Sequence, residues 1–188
     1  MHSFRTLIIM AAAALALVSC GGGGSATGAG PSEEVRTLLR TVPSDALAIA
    51  VRRSCTEAVS LLDTSAALRS LGYGGLEDSP AVISWTFDGK LSPVLAVDAG
   101  RTQARSEAAR AVAELAGSHG LHAEWYAADS LVGRHAVLVL TGSDALMTAV
   151  GRHISEGRSI MDADGFGAAV SYASQSKDFT ILRNSGAR

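Results

Sequence analysis

Basic residues are dispersed in this 188-residue sequence, and lysine is nearly absent. Of its 16 basic residues, only Lys90 and Lys177 are lysines, and the arginines form no cluster interleaved with aromatic residues. Aromatic residues make up only 5% of the chain. A nucleic-acid-binding domain concentrates basic charge on one face or stripe. No nucleic-acid partner is therefore expected.

The sequence motifs of common enzymes are also missing. There is no G-x-S-x-G, no phosphate-binding Walker loop and no H-E-x-x-H. The glycines at 72, 74 and 75 lack the third spacing of a dinucleotide-binding fingerprint. Serine and aspartate are plentiful, so the sequence leaves open a catalytic triad assembled in space. No cofactor is expected, and the sequence favours a protein that is not an enzyme over one that is.

Long apolar runs are absent as well. The longest, Leu7 to Val18, has twelve residues, whereas a membrane-spanning helix needs about 20. The run follows Arg5 and leads through small residues to Cys20, which is the layout of an export signal. A transmembrane protein is therefore not expected.

The end of this run, Leu17-Val18-Ser19-Cys20, resembles the lipobox of bacterial lipoproteins. The resemblance implies cleavage before Cys20, which is acylated with two or three chains and becomes the first residue of the mature protein. One acyl chain binds a bilayer reversibly and two hold it stably, so Cys20 would be a lasting lipid-attachment site. The alternative is a plain secretion signal that leaves Cys20 free.

Residues 21–32 contain only Gly, Ser, Ala, Thr and one proline, without charge. Such a segment is a flexible tether with a root-mean-square reach of roughly 20 Å. We therefore divide the chain into a signal peptide at 1–19, a lipidated cysteine and tether at 20–32, and one domain at 33–188. That domain either ends at Arg188 or continues in a longer protein. With Cys20 acylated, Cys55 is the only thiol, so no intramolecular disulfide is expected.

Residue periodicity predicts alternating helices and strands in the domain. The predicted helices begin near Val35, Ser54, Thr102, Ser143 and Asp162 or Asp164, with Ser54, Ser143 and the aspartates as caps. The predicted strands are Ala46 to Arg52, Ala81 to Phe87, Leu91 to Asp98, Leu121 to Ala127, His135 to Thr141 and Phe179 to Leu182. Asp88-Gly89 predicts a hairpin turn between the second and third strands.

This order predicts an α+β domain with a mainly antiparallel sheet and helices on one face. Its first six strands and helices match the β-α-β-β-α-β order of ferredoxin-like folds, with an extra strand and further helices behind them. A polar stripe is expected on the other, open face, formed by Ser84, Thr86, His122, Glu124 and Tyr126.

A second resemblance concerns the domain itself. The runs PSDALAIAV and VLVLTGSDALMTAVGRHISEGRSIMDADGFGAAV are similar to the N-terminal part of large uncharacterised lipoproteins of Bacteroidales. That resemblance implies a cell-envelope location and no known activity.

Two enzyme-like sites are the alternatives. His119, His122 and Glu124 place three potential metal ligands within six residues, although ordinary helix-end and surface roles explain them too. Cys55 follows the helix cap Ser54, where a helix N-terminus lowers a thiol pKa, although a small half-buried side chain fits equally.

Asp162 and Asp164 resemble the start of a calcium-binding loop, but the sequence has no glutamate at the twelfth position, which such a loop needs. His153 is expected to be a partly buried core residue.

The sequence therefore predicts a non-catalytic lipoprotein of the cell envelope, bound to a membrane through Cys20 and serving binding or assembly with a possible envelope protein partner. The rival is a hydrolase using His119, His122 and Glu124, or a thiol enzyme using Cys55. An outer-membrane location is favoured because Gly21 stands where inner-membrane lipoproteins, by resemblance, carry aspartate, and the sequence leaves both the periplasmic side and the surface side open.

Overall fold

The computed structural model describes residues 31–62, 65–87, 89–127, 135–158, 160–163, 166, 169 and 178–182. Five α-helices, six strands and one 3-10 turn lie within these residues. In chain order they are α1 Glu33–Leu39, β1 Ala48–Arg52, α2 Cys55–Ser60, α3 Ala66–Ser70, β2 Ala81–Phe87, β3 Leu91–Gly100, α4 Gln103–Ser118, β4 His122–Tyr126, β5 Ala136–Thr141, α5 Asp144–Ser155, the 3-10 turn Ile160–Asp162, and β6 Phe179–Leu182. The predicted signal peptide, Cys20 and nearly all of the tether lie outside the described residues, as does Asp164 with most of the helix predicted after it.

The six strands form one sheet in the order β4-β5-β3-β2-β1-β6. Every neighbouring pair runs antiparallel. The α+β class with a mainly antiparallel sheet is therefore confirmed.

The ferredoxin-like arrangement is present only in part. Such folds contain split β-α-β units, in which a helix joins two parallel strands with a third strand between them. The β3-α4-β4 unit has this form, because β5 lies between β3 and β4 and runs antiparallel to both. However, β1 and β2 are adjacent and antiparallel, since Arg52 at the end of β1 pairs with Ala81 at the start of β2. The connection between β1 and β2, which contains α2 and α3, thus begins and ends at the same end of the sheet.

Helices cover both faces of the sheet, which corrects the expectation of a single covered face. Successive strand residues point to opposite faces, and in β2, β3 and β5 the residues on both faces are mostly buried. On one face, α1 and α5 pack on Val82, Val94, Ala96, Val137 and Val139. On the other, α2, α3 and α4 pack on Ile83, Leu95, Val97, Leu138 and Leu140. We call these the α1/α5 face and the α2–α4 face.

The helices begin where hydroxyl side chains cap them. The Oγ atoms of Ser32, Ser54, Ser65 and Ser143 and Oγ1 of Thr102 each accept a hydrogen bond from the backbone N–H three residues on. After β1, β3 and β5 the cap comes just two residues beyond the strand end. Each of these strands therefore leads directly into a helix that starts at a defined residue. None of the helices in the described part of the chain is both long and apolar enough to cross a bilayer.

Candidate functional site

The three residues of the predicted metal alternative have separate partners. His119 caps the C-terminus of α4, and its Nδ1 lies 3.5 Å from Ser70 Oγ. His122 begins β4 with Nδ1 3.6 Å from Asp144 Oδ1, and Glu124 accepts a hydrogen bond from the Tyr126 hydroxyl. Across the described residues, no group of three or more His, Cys, Asp and Glu side chains could hold a metal ion. The sequence spacing that suggested a metal site is therefore not matched in space.

Cys55 is the first residue of α2, as predicted, but it is not placed to react. Its side chain is fully buried among apolar residues of the α2–α4 face. Burial, and after it the negative charge of Glu77, raises the pKa of the thiol to about 12. The increase in the thiol pKa caused by burial thus exceeds the decrease expected from the helix N-terminus, and the thiol stays protonated near neutral pH.

The predicted polar stripe does lie on one face of the sheet. Ser84 pairs with Val94, Val94 with Thr141, and Thr141 with His122, so these residues form a row across four strands on the α1/α5 face. That face is covered, however. Ser84 and Thr86 are buried, and their hydroxyl oxygens have no hydrogen-bond partner among the described residues.

Tyr126 and Glu124 mark the edge of this stripe, where α5 lies against it. A Cβ placed on Gly151 of α5 would be 3.5 Å from the Tyr126 hydroxyl. The pKa of Tyr126 is raised, first by burial and then by its hydrogen bond to Glu124. The expected open ligand-binding surface is therefore partly a helix-packing surface.

The calcium-loop interpretation concerns Asp162 and Asp164, and the core-histidine interpretation concerns His153. Asp162 ends the 3-10 turn, whereas Asp164 lies outside the described residues. His153 is buried in α5, in agreement with its prediction as a core histidine.

Sequence reasoning missed a buried pair of a carboxyl group and an imidazole, Asp98 with His135. Asp98 Oδ1 lies 2.9 Å from His135 Nδ1 and accepts a hydrogen bond from the Gly100 N–H at 3.2 Å. Arg105 Nη1 is 4.0 Å from the other carboxylate oxygen. Burial raises the pKa of Asp98, whereas the charge and hydrogen bond of His135 lower it. The net change in the pKa of Asp98 is upward, because the carboxyl group is almost completely shielded from water.

This pair could orient an imidazole as a general base, which is how a carboxylate assists the histidine of a catalytic triad. A triad also requires a nucleophile bonded to the second ring nitrogen. Among the described residues, the side-chain hydrogen-bond partner of His135 is Asp98, through Nδ1. The role that the geometry supports is structural: the pair joins the end of β3 to the start of β5.

A signal for this pair exists in the sequence but is incomplete. Asp98 ends one apolar strand and His135 begins another, which is an unusual place for each. Only the β3-β5 pairing brings them together, and strand order cannot be derived from residue periodicity.

No protein-family model, curated protein or solved structure matches this chain.

Proposed function

We propose that this chain is a lipid-anchored protein of the bacterial cell envelope, and that its α+β domain is a non-catalytic binding or assembly module. The observation that carries the proposal is the Leu17–Cys20 motif followed by twelve residues without charge. A permanent anchor, a spacer and a folded domain then follow one another along the chain.

The start of the domain is consistent with a tether that ends near residue 32. The Ser32 side chain accepts a hydrogen bond from the Val35 N–H, which caps α1 at its first turn. Glu33 Oε2 lies 2.9 Å from Arg101 Nη2 at the end of β3. The contact between Glu33 and Arg101 attaches the first residues after the tether to the residue that follows β3.

The rival enzyme proposals have weaker support. A thiol enzyme needs an accessible thiolate, whereas Cys55 is buried with a raised pKa. A metal hydrolase needs converging ligands, whereas His119, His122 and Glu124 each contact a different neighbour. A binding or assembly role is therefore the better proposal, with an envelope protein as the kind of partner.

The proposed location is the outer membrane. Gly21 follows the acylated cysteine, and no acidic residue comes before Glu33. By resemblance to proteobacterial lipoproteins, the missing aspartate favours release from the inner membrane. The first acidic residue, Glu33, comes well after Cys20 in the sequence, and this distance favours the periplasmic side of the membrane over the surface side.

The test is intact-mass analysis of native protein from a bacterial membrane fraction. We expect a chain that begins at Cys20 and carries two or three acyl chains. Cys20→Ala should lose the acyl mass and leave the membrane fraction, whereas Cys55→Ala is the matched control that should keep both. A native chain that retains Met1, or an unmodified thiol at Cys20, would overturn the proposal.

A further inference from the structure

Three large apolar side chains are exposed at one end of the sheet. Phe87 is 63% exposed, Leu91 53% and Leu182 52%. Phe87 pairs with Leu91 across the β2-β3 hairpin. In the next row on the same face, Pro93 pairs with Trp85, Trp85 with Ala48, and Ala48 with Leu182. We call the exposed set Phe87, Leu91 and Leu182, with the partly exposed Trp85 and Pro93 beside it, the apolar end surface.

The lengths of the helices explain why this surface is bare. It belongs to the α2–α4 face, since Trp85 packs against the buried cluster there. On β1 and β2 that face is covered by α2, which starts after Arg52 at the far end of the strands and has only six residues. Six helical residues rise about 9 Å, whereas the seven residues of β2 span about 23 Å. The hairpin end of these strands therefore extends beyond the helix.

We infer that the apolar end surface rests on the bilayer to which Cys20 anchors the chain. This inference depends on the proposed function, because the anchor supplies the membrane. A phenylalanine, a tryptophan and two leucines are the side chains that enter the boundary between headgroups and acyl chains. A single hairpin end would bind free vesicles weakly, but the anchor keeps it permanently close to the lipid.

The tether is long enough for this contact. Glu33 is bonded to Arg101, just beyond the end of β3, whereas Leu91 begins β3. The ten residues of β3 span about 33 Å, which is less than the maximum length of about 40 Å for twelve residues but more than their root-mean-square reach of roughly 20 Å. The hairpin end can thus touch the same membrane that holds Cys20, with the sheet lying along it.

Charge defines the kind of membrane contact. Lys90 is exposed in the hairpin, and Asp88 stands two positions before it in the sequence, so the turn has no net charge. The attraction between the apolar end surface and the bilayer is therefore hydrophobic and should not require anionic lipid. Vesicles of zwitterionic phosphatidylcholine are the appropriate probe.

The experiment uses the acylated full-length protein in phosphatidylcholine vesicles, with an environment-sensitive dye on Lys90→Cys. Asp78→Cys, exposed at the opposite end of the sheet, is the matched labelling control. Cys55 is buried and Cys20 is acylated, so neither should take up the dye. We expect the dye at position 90 to be shielded from aqueous iodide and quenched by lipid-borne quenchers, and the dye at position 78 to stay accessible to iodide.

The double substitution Phe87→Ser with Leu91→Ser should lower the fraction of molecules in contact about tenfold. Leu115→Ser removes an exposed leucine from α4, on the same face but outside the apolar end surface, and should have a much smaller effect. Cooperative unfolding of each variant verifies that it is folded.

Three outcomes would overturn the inference, and they are distinguishable. If the protein is acylated and vesicle-bound but position 90 is as accessible to iodide as position 78, only the bilayer contact is wrong. If position 90 is shielded without vesicles and the protein is dimeric, the apolar end surface is an interface between copies. If the chain is not acylated and does not sediment with vesicles, the proposed function fails as well.

Discussion

His153 is a buried side chain with an unsatisfied polar atom. It is almost completely buried in α5, and its Nε2 has no hydrogen-bond partner among the described residues. Burial lowers the pKa of the ring, and the positive charge of Arg158 lowers it further, while Asp162 and Asp45 act in the opposite direction. The folded protein therefore favours the neutral imidazole. Sequence periodicity could place this residue in the core, but not reveal that its ring nitrogen lacks a partner there.

We predict that His153→Leu raises the free energy of unfolding by about 1–2 kcal/mol at pH 7.5, because it removes a buried polar atom without a partner. The pKa of His153 is depressed in the folded state below its ordinary value of 6.5. The unfolded chain thus binds more protons below about pH 6.5, and the wild-type protein should lose stability as the pH falls through that range. The gain from His153→Leu should therefore be larger at pH 5. Urea unfolding at both pH values measures it.

The control for this prediction is Val150→Ala, which truncates a buried apolar residue of the same helix. It should lower stability at both pH values and keep the wild-type pH dependence. An unchanged pH dependence in His153→Leu would show that the imidazole titrates alike in the folded and unfolded chain.

At the scale of helices and strands, local sequence patterns were informative. The predicted strands at 81–87 and 179–182 have the observed bounds, and the helix caps Ser54 and Ser143 were identified correctly. These features depend on neighbours within a few residues. The sequence predicts a helix from Ser54 to about Leu71 with a break near Asp63, and the structure has two short helices there, α2 and α3, with residues 63–64 between them outside the described part.

The join between β3 and α4 contains a glycine that local geometry requires. Gly100 has φ +66°, and a Cβ there would lie 2.9 Å from Arg105 Cδ. We expect Gly100→Ala to lower the free energy of unfolding by about 1–3 kcal/mol, because an L side chain is strained at this φ. Its matched comparison is Gly117→Ala in α4, where no atom lies within 4 Å of the added Cβ. That substitution should raise stability by about 0.5–1 kcal/mol, since alanine favours helix over glycine. Equal effects in thermal unfolding would contradict both assignments.

For the whole molecule, sequence periodicity was least informative about which faces are covered. A continuous apolar run such as that of β5 is compatible with burial on both faces, but it does not say which helix lies on which face. The pairing of β3 with β5, remote in sequence, determines both the strand order and the Asp98–His135 contact. As a result, two hydrophobic clusters share the same central strands, one on each face.

Because the clusters share these strands, we predict that they unfold in one transition. Leu39→Ala on the α1/α5 face and Leu138→Ala on the α2–α4 face should each destabilise the protein by about 2–5 kcal/mol, since both side chains are fully buried. Trp85 and Trp125 both pack against the α2–α4 cluster, so their fluorescence reports that face, whereas far-ultraviolet circular dichroism reports all the helices. In a cooperative domain, Leu39→Ala shifts the urea midpoint of both signals equally. If the faces unfold independently, Leu39→Ala shifts only part of the circular dichroism transition, leaves tryptophan fluorescence at the wild-type midpoint, and shows that the sheet does not couple its two cores.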